Sequence, residues 1–191
     1  MKQKTDEQLY RLLADHDRDA FDILYKRYGR LVYAYFHAVE SDHDLVKDLV
    51  QDTWLRIIQH AVAGKAIKTF RPWLFTIATN LYRDALRRKK IRWPFSLIKP
   101  VSNDKTSQKE LEDKNIQTKN FPGFSEDFQR ALQQLPPRQK QIFILKQMFG
   151  FKHEEIGAML GIATGTCKVT YHNSIANLRK TLADYEYFDQ E

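Results

Sequence analysis

Apolar side chains recur three and four positions apart along most of the chain, with polar residues between them. Over residues 19–39 the repeating set is Phe21, Leu24, Tyr25, Tyr28, Leu31, Val32, Tyr35 and Phe36. This spacing places the apolar residues on one face of an α-helix. The same period predicts helices over 5–14, from a Ser41-Asp42 cap to 61, and from Pro72 to 92. No stretch alternates as a strand does.

The apolar period stops at residue 93 and resumes at about residue 125. Between them, prolines, serines, asparagines, lysines and aspartates predominate, which is typical of a linker. Further helices are predicted over 125–135, from Pro136-Pro137 to Met148, over 153–160 and over 164–184. The predicted fold is therefore all-α, with two small helical domains, 1–92 and 125–191, joined by a flexible linker, 93–124.

The last two predicted helices are joined by a tight turn that contains Gly161. A short helix, a turn and a longer helix form a helix-turn-helix, in which the second helix enters the major groove of DNA. Polar side chains that can hydrogen-bond bases or phosphates line its first turns: Thr164, Thr166, Lys168, Thr170 and Asn173. An ordinary αα-hairpin is the alternative. From Thr164 to Leu178 the helix carries one full positive charge and no arginine.

The segment 83–92 holds six basic residues and one acid. On a helix, Arg83, Arg87 and Lys90 share a face, with Asn80 one turn earlier. Just upstream lie Trp73, Phe75 and Tyr82. Cations neutralise phosphates and rings stack on exposed bases, so this pattern favours nucleic-acid contact. A solvated helix end, where the dipole favours cations, explains only part of the charge.

The net charge of +7 is confined to one half of the chain. Residues 1–100 hold nineteen Lys and Arg against twelve Asp and Glu, whereas residues 101–191 hold twelve of each. Within the basic half, Asp44, Asp48, Gln51 and Asp52 form an acidic patch. A solvated face explains such a patch, and a protein partner with a basic surface is the second interpretation.

Several classes of protein are disfavoured. The chain has one cysteine, which excludes an internal disulfide and a CxxC zinc site, and its histidines form no HxxxH or HExxH motif. Phosphate-binding and nucleophile motifs are absent, so we expect no enzyme, cofactor, metal or small-molecule substrate. The sequence shows no signal peptide and no apolar run of the about 18 residues that a membrane span needs. A cytoplasmic setting is expected.

Taken in order, these segments resemble the extracytoplasmic-function (ECF, group IV) sigma factors of bacterial RNA polymerase. The stretches "FDILYKRYGRLVYAYF" and "DLVKDLVQDTWLRI" resemble helices of sigma domain two, and "FRPWLFTIATNLYRDALRRKK" resembles its promoter-melting segment. The stretch "ALQQLPPRQKQIFILKQMFGFKHEEIGAMLGIATGTCK" resembles domain four. The resemblance implies a transcription initiation factor that directs core polymerase to specific promoters.

The resemblance also implies which residues meet which partner. The polymerase β′ clamp helices would dock on Asp48, Leu49, Gln51 and Asp52. The minus-ten DNA would be held by the loop and helix that carry Lys65, Lys68, Arg71, Asn80, Arg83, Arg87, Arg88 and Lys89. The minus-thirty-five element would be read by Thr164, Thr166, Lys168, Val169, Thr170, His172 and Asn173. Domain four would also pack on the β flap, and an anti-sigma factor, in this family often membrane-bound, would be a further partner.

The sequence departs from the family in the second helix of the helix-turn-helix. Family members commonly have arginines at the positions of Thr170, Asn173 and Ile175. A shifted sequence preference, a weaker minus-thirty-five contact and a domain that no longer reads DNA all remain open. The alternative functions are a sigma-like regulator without promoter-opening activity and a stand-alone helix-turn-helix protein.

Overall fold

The computed structural model describes residues 4–92 and 125–188. Within these ranges the chain forms eight α-helices and no β-strand, which confirms the all-α fold. The predicted linker, 93–124, lies outside the described residues. The helices are α1 (Asp6–Leu12), α2 (Arg18–Val39), α3 (His43–Val62), α4 (Phe70–Arg92), α5 (Glu126–Gln134), α6 (Pro137–Gln147), α7 (His153–Leu160) and α8 (Thr164–Phe188).

Short polar side chains fix where the helices begin. The Thr5 hydroxyl accepts the N–H of Gln8, and the Gln8 side chain accepts the N–H of Thr5, which forms a capping box. Asp42 caps α3 through the N–H of Leu45 at 3.2 Å, as the sequence predicts. Pro137 stands at the first position of α6, where its missing N–H has no helical partner to lose.

Helices α1 to α4 form the first bundle, in which α2, α3 and α4 pack around one another and α1 closes one side. Their inward faces carry the predicted apolar period. The largest fully buried side chains there are Leu9, Leu24, Tyr35, Phe36, Leu49, Ile57, Phe70, Leu74, Phe75 and Leu81. Burying a side chain of this size contributes about 1.5–3 kcal/mol, so burial of this face is a large favourable contribution to the folding of the bundle.

Helices α5 to α8 form the second bundle, in which α8 packs against α5, α6 and α7. Its core is smaller and is built from α5, α6, α7 and the buried side of α8. The buried side chains include Leu132, Ile142, Ile144, Leu145, Ile156, Met159, Cys167 and Leu178. Because Cys167 is fully buried, it belongs to this core, and burial raises the pKa of its thiol.

The two bundles pack against each other through aromatic side chains. Phe149 and Phe151, in the turn between α6 and α7, are buried against Phe75 of α4, with ring centroids 4.8 and 5.1 Å apart. The Phe149 ring also meets Tyr35 of α2 at 6.2 Å. Gly150, with φ of 69°, makes the turn that presents both rings to the first bundle. The buried residues therefore form one continuous core.

Polar contacts accompany this apolar interface. The Arg71 guanidinium donates to the Phe149 carbonyl at 2.5 Å and lies 4.3 Å over the Phe151 ring. Farther along α4, the Thr79 hydroxyl lies 3.4 Å from the Met159 carbonyl of α7. The sequence pattern indicates the two bundles but does not indicate that they dock, because an inward face is apolar whichever helix covers it.

Candidate nucleic-acid and partner surfaces

The acidic patch of α3 forms one wall of a groove. Asp48, Gln51 and Asp52 are exposed, whereas Leu49 is 1% exposed and belongs to the core beneath them. The groove has a volume of about 680 Å³ and runs between α3 and the end of α4. It is lined by Asp42, Asp44, Leu45, Asp48, Leu49, Asp52, Ala85, Arg88 and Lys89. An acidic wall with an apolar floor suits a helix that carries basic and apolar side chains.

The orientation of α3 explains this exposure. Helical positions four apart share a face, so Asp44, Asp48 and Asp52 form one outward stripe. On the opposite face, Val46, Leu49 and Thr53 are buried, and the Thr53 hydroxyl donates to the Leu49 carbonyl at 2.7 Å. Thr53 is therefore buried with its polar group satisfied. The acidic stripe points away from the bundle because burial of the apolar stripe fixes the rotation of α3 about its axis.

The structure divides the predicted minus-ten residues of α4 between two faces. Asn80, Arg83 and Arg87 follow one another at intervals of three and four and form a stripe. Arg83 donates to the Asn80 side chain at 2.7 Å, and both Arg83 and Arg87 are exposed. Arg88 and Lys89 instead line the groove against α3. The first stripe faces away from the groove, and its Arg87 also pairs with Asp84 at 3.5 Å.

Lys89 is held by a carboxylate that the sequence analysis did not single out. The Glu40 side chain, buried at the end of α2, lies 3.0 Å from the Lys89 ammonium and also accepts the N–H groups of Ser41 and Asp42. Asp42 lies 3.7 Å from the same ammonium. These contacts tie the end of α4 to the start of α3. Glu40 was missed because a single acid between two helices has no distinguishing pattern.

The loop that joins α3 to α4 carries two of the predicted lysines. Lys65 and Lys68 are both exposed, and Gly64, with φ of 66°, begins the loop. A cavity of about 250 Å³ lies between this loop and α1. It is lined by Glu7, Tyr10, Arg11, Ala14, Ala61, Gly64, Lys65, Ala66 and Ile67. The cavity is therefore adjacent to Lys65, one of the residues that the family resemblance assigns to minus-ten DNA.

Arg71 and two of the upstream aromatic residues differ from the sequence-based expectation. Arg71 contacts the turn between α6 and α7 rather than projecting into solvent. Phe75 and Tyr82 are 0% and 3% exposed, so their rings belong to the core and cannot stack on bases. Trp73 is half-buried beside the loop. The sequence of a basic and aromatic helical segment does not by itself show which aromatic rings face the core.

Helices α7 and α8 have the geometry of a helix-turn-helix. Gly161 ends α7 with φ of 65°, and the Ile162 N–H then donates to the Gly157 carbonyl at 2.9 Å. Gly157 itself lies against the turn, since a Cβ there would be 2.8 Å from the Ile162 carbonyl oxygen. The close approach of α7 to the start of α8 thus requires glycine at a position that the sequence analysis did not identify.

The outward face of α8 carries the predicted minus-thirty-five residues. Thr166, Lys168, Val169, His172 and Asn173 are exposed, and Val169 is 61% exposed. The remaining two, Thr164 and Thr170, are half-buried. Their neighbours Cys167 and Ser174 are fully buried against the second bundle. This alternation leaves a polar, lightly charged face free to enter a groove of DNA.

The outward face of α8 carries little charge. The Thr170 hydroxyl donates to the Thr166 carbonyl at 2.7 Å, as threonines within helices often do. His172 and Asn173 provide further hydrogen-bonding groups beside Lys168. The family resemblance leads us to expect arginines at Thr170, Asn173 and Ile175. Without them, two or three contacts to DNA would be lost, and a good bidentate contact to a base is worth about 1–3 kcal/mol.

Over residues 4–92 and 125–188, no group of three or more His, Cys, Asp or Glu side chains could hold a metal ion. Among the same residues, no helix combines the length and the apolar character required to cross a membrane.

Both bundles match family models. Residues 24–91 match the description "Sigma-70 region 2" and residues 125–178 match "Sigma-70, region 4". The first match spans most of α2, α3 and the greater part of α4, which carry the groove and the polar stripe. The second spans α5 to α7 and the portion of α8 that forms the candidate reading face.

Curated relatives match over nearly the whole chain. The RNA polymerase sigma factor CarQ of Myxococcus xanthus is 29% identical over 90% of this chain and 94% of its own length. The ECF RNA polymerase sigma factor SigM of Mycobacterium tuberculosis is 30% identical over 90% of this chain and 83% of its own length. The ECF RNA polymerase sigma factor SigW of Bacillus subtilis is 25% identical over 88% and 91%.

Solved structures share the arrangement of the helices. The sigma factor RpoE of Bartonella quintana, crystallised with the anti-sigma factor NepR, aligns with a TM-score of 0.64 and 25% identity over 85% of this chain and 96% of its own. CnrH, solved in complex with the cytosolic domain of CnrY, aligns with a TM-score of 0.62 and 21% identity over 94% and 97%, which supports the fold.

Proposed function

The chain belongs to the ECF sigma factors of bacterial RNA polymerase, and from this membership we propose that its three polar surfaces divide promoter recognition between them. Sigma factors of this type direct core polymerase to specific promoters and initiate transcription, and they are not enzymes. In this assignment the groove of α3 binds polymerase, the loop and α4 hold the minus-ten region, and α8 reads the minus-thirty-five element.

One observation carries the assignment of the surfaces. The acidic groove and the polar stripe of Asn80, Arg83 and Arg87 lie on different faces of the first bundle, so one bundle can hold a basic protein surface and DNA at once. A single mixed surface would place the acids beside the phosphates, where like charges repel. Separate faces support simultaneous binding of polymerase and DNA.

The groove suits a helical partner with basic and apolar side chains. Asp48 and Asp52 supply charge at the surface, while Leu45 and the edge of Leu49 supply an apolar floor. We assign the β′ clamp helices of core polymerase to this groove, with Asp48, Gln51 and Asp52 as direct contacts. Leu49, because it is buried, supports the surface from beneath.

At the minus-ten region, the proposed task is to capture a base from an opened duplex. Unstacking a base costs a few kcal/mol, which contacts to its edges and to the phosphates on either side must offset. Asn80, Arg83 and Arg87 provide a hydrogen-bonding and cationic stripe, and the exposed Lys65 and Lys68 add charge at the loop. Arg88 and Lys89 lie closer to the groove, so we expect a smaller contribution from them.

The second bundle contributes more to discrimination between DNA sequences than to affinity for DNA. Polymerase bound to the first bundle raises the effective concentration of α8 beside its DNA element, so that a weakly charged helix suffices. The exposed Thr166, Lys168, Val169, His172 and Asn173 are the proposed readers. Contact of this bundle with the β flap is also proposed from the family resemblance.

An anti-sigma factor is the remaining proposed partner. The two solved relatives were crystallised or solved with proteins that bind them, and for RpoE the partner is an anti-sigma factor. We propose that this chain, too, is held by such a factor and that it acts in the cytoplasm, where core polymerase and promoter DNA are found.

The proposed function is tested by run-off transcription with purified core polymerase on fragments of genomic DNA. We expect discrete start sites that depend on the added chain. Asp48→Arg reverses a charge in the groove and should lower the affinity for core at least tenfold, as measured by fluorescence anisotropy. Asp22→Arg, at an exposed aspartate of α2, makes the same change of charge outside the groove and should leave that affinity unchanged.

Two results would contradict the assignment. Transcription without discrete start sites would contradict the proposed role in directing polymerase to specific promoters. If Asp48→Arg bound core as the wild type does, the groove would not be the docking surface, even where transcription is promoter-specific.

A further inference from the structure

We propose that Tyr10 of α1 is a positioning residue for the loop between α3 and α4 and that it determines how strongly the loop discriminates between bases. The inference rests on the proposed role of this loop in capturing a minus-ten base. It assigns part of that specificity to a helix that lies outside the residues matched to sigma-70 region 2, which begin at residue 24.

The hydroxyl of Tyr10 links α1 to the last turn of α3, at His60, and to the start of the loop, at Lys65. It donates to the Lys65 carbonyl at 2.9 Å, and it lies 2.6 Å from Nδ1 of His60, in the last turn of α3. A phenol has a single hydrogen to donate. With that hydrogen on the Lys65 carbonyl, the His60 contact is satisfied when His60 Nδ1 carries a proton and donates to the Tyr10 oxygen.

The His60 ring is therefore held in one orientation and one tautomer. Its burial and the neighbouring Lys65 ammonium lower the pKa of His60, which favours the neutral ring at neutral pH. The ring also packs beside Trp73 of α4, with centroids 4.8 Å apart. Tyr10 thus connects a residue before the loop, a residue within it and, through His60, a residue after it.

The ring of Tyr10 is as well anchored as its hydroxyl. Tyr10 is 3% exposed and meets Trp73 edge to face at 5.2 Å and Phe70 at 6.2 Å. Aromatic pairs of this kind are rigid and favourable beyond their buried area. The hydroxyl is consequently fixed in space, and it presents a stationary donor to the loop.

A second side chain of α1 fixes the far end of the loop. Glu7 accepts the N–H of Phe70, the first residue of α4, at 3.0 Å. Glu7 and Tyr10 are three positions apart and share a face of α1. Between their two attachment points, at residues 65 and 70, the chain has only four residues, so α1 constrains nearly all of its backbone.

The cavity of about 250 Å³ makes this constraint relevant to recognition. One wall consists of α1 residues Glu7, Tyr10, Arg11 and Ala14, and the other consists of the loop and the end of α3. The bond from the Tyr10 hydroxyl to the Lys65 carbonyl holds the loop against α1 and thereby limits the width of the cavity. A loop that moves away from α1 widens the cavity and accepts bases of different size with less preference, because discrimination requires contacts held in place before binding.

The test uses Tyr10→Phe in holoenzyme reconstituted from the full chain and core polymerase. This substitution removes the hydroxyl and leaves the anchored ring. Tyr82→Phe is the matched control, because the Tyr82 hydroxyl is also buried and donates to a backbone carbonyl, that of Val39, at 2.7 Å, away from the loop. The probe is a pool of random single-stranded DNA, from which bound sequences are recovered and the base preference is read at each position.

We expect wild-type holoenzyme to select a defined motif. Tyr10→Phe should lower the preference at one position by about three- to tenfold, which corresponds to one hydrogen bond, and should leave the other positions unchanged. Tyr82→Phe should preserve the whole profile. In the free chain, amide hydrogen exchange in residues 63–69 should be faster for Tyr10→Phe than for Tyr82→Phe.

Three results would overturn the proposal. The first is a wild-type profile in Tyr10→Phe. The second is a base preference that is weakened equally at every position in both Tyr10→Phe and Tyr82→Phe, since this would indicate only a loss of stability. The third is unchanged hydrogen exchange in the loop. If instead the wild type selects no base, or Asn80→Ala leaves the selected motif intact, the proposed role of the loop and α4 in capturing a base fails.

Discussion

At the scale of single residues, the first bundle depends on polar groups that join elements far apart in sequence. Glu7 of α1 accepts the first N–H of α4, Glu40 binds Lys89, and Tyr10 binds the loop after α3. Each is a side chain whose partner lies about 50 or more positions away. The geometry of the proposed DNA-binding surfaces therefore depends on residues that lie outside the sets predicted from the sequence to contact DNA or polymerase.

Glu7 gives the protein a pH dependence whose direction can be derived. The bond from the Phe70 N–H is the main reason that the pKa of Glu7 is lowered from its ordinary value of 4.5. A lowered pKa in the folded state means that the carboxylate stabilises the fold above the unfolded value, and that this stabilisation disappears as the pH falls through the folded value.

We therefore expect Glu7→Gln to be less stable than the wild type at pH 6. The difference in the free energy of unfolding should shrink as the pH falls below about 4.5, because the protonated wild-type side chain and glutamine are then both neutral. Urea unfolding between pH 3 and pH 6 measures this difference. A difference that is constant across the range would show that the charge of Glu7 is not what stabilises the start of α4.

Arg83 and Arg87 should account for part of the salt dependence of promoter binding. Each phosphate contact contributes about 0.7–0.9 to the slope of log affinity against log salt. The double variant Arg83→Ala with Arg87→Ala should lower that slope by about 1.4–1.8 in a filter-binding titration of holoenzyme on a promoter fragment. Arg18→Ala with Arg30→Ala, at exposed arginines of α2, removes the same charge elsewhere and should leave the slope unchanged. Equal slopes in the two double variants would contradict the proposal that Arg83 and Arg87 contact the phosphates of promoter DNA.

At the scale of the elements, the helix-turn-helix depends on how closely α7 approaches the start of α8. A Cβ at Gly157 would lie 2.8 Å from the Ile162 carbonyl oxygen, which is backbone and cannot rotate away. At Gly165, in the first turn of α8, a Cβ would meet nothing within 4 Å. The same substitution should therefore have opposite effects at these two glycines.

We expect Gly157→Ala to destabilise the second bundle by about 1–3 kcal/mol, as overpacking usually does. Gly165→Ala should be neutral or should stabilise by up to about 1 kcal/mol, because alanine has the higher helix propensity. Thermal unfolding of the two variants, followed by circular dichroism, provides the comparison. If both alanines had the same effect, the close approach of the two helices would not be a constraint.

The low charge of α8 leads to a prediction about affinity. Asn173 is exposed on the proposed reading face, at a position where the family resemblance leads us to expect arginine. Asn173→Arg should strengthen binding of holoenzyme to promoter duplex and raise its salt slope by about 0.9, which is one phosphate contact. Ala183→Arg adds the same charge about 15 Å farther along the helix and should have little effect. No change in Asn173→Arg would favour a domain that no longer reads DNA.

At the scale of the whole molecule, the docking of the two bundles limits what the chain can reach. The minus-ten and minus-thirty-five elements are about 25 base pairs apart, or about 85 Å at 3.4 Å per base pair. A compact chain of this length has a radius of gyration of about 16 Å and a diameter of about 40 Å. The docked arrangement cannot span both elements, so reading both requires the bundles to separate.

Arg71 links this separation to DNA binding. In the docked state its guanidinium is engaged by the Phe149 carbonyl and the Phe151 ring. Arg71 belongs to the residues predicted to bind minus-ten DNA, and one guanidinium cannot make both sets of contacts in full. Separation of the bundles would release it.

Arg71→Ala should therefore weaken docking in the free chain. Loss of a hydrogen bond and a cation–π contact should shift the equilibrium between docked and separated bundles by about tenfold or more. Small-angle scattering should report a larger radius of gyration than the about 16 Å of a compact chain. Arg30→Ala, at an exposed arginine of α2, is the control and should scatter as the wild type does. Identical profiles for all three would show that Arg71 does not hold the bundles together.

The features of the fold and of the candidate surfaces that the sequence predicts are those that depend only on neighbouring residues. The helices and their starts were predictable, because periodicity and caps such as Asp42 are written within a few consecutive residues. The acidic patch on α3 and the exposed face of α8 followed from the same periodicity. Residues such as Glu40, Tyr10 and Gly157 were not predictable, since their importance comes from partners on other helices.

The sequence by itself therefore determined the helical elements, the family and the residue types available to each surface, because local periodicity and motif order require no knowledge of the packing. Only the tertiary structure decided which face each residue occupies. It placed Phe75 and Tyr82 in the core, separated Lys89 from the stripe of Arg83, and docked the Phe149 turn on α4. The physical reason is that burial of an apolar face fixes the rotation of each helix, and it does so through side chains that lie far apart in the chain.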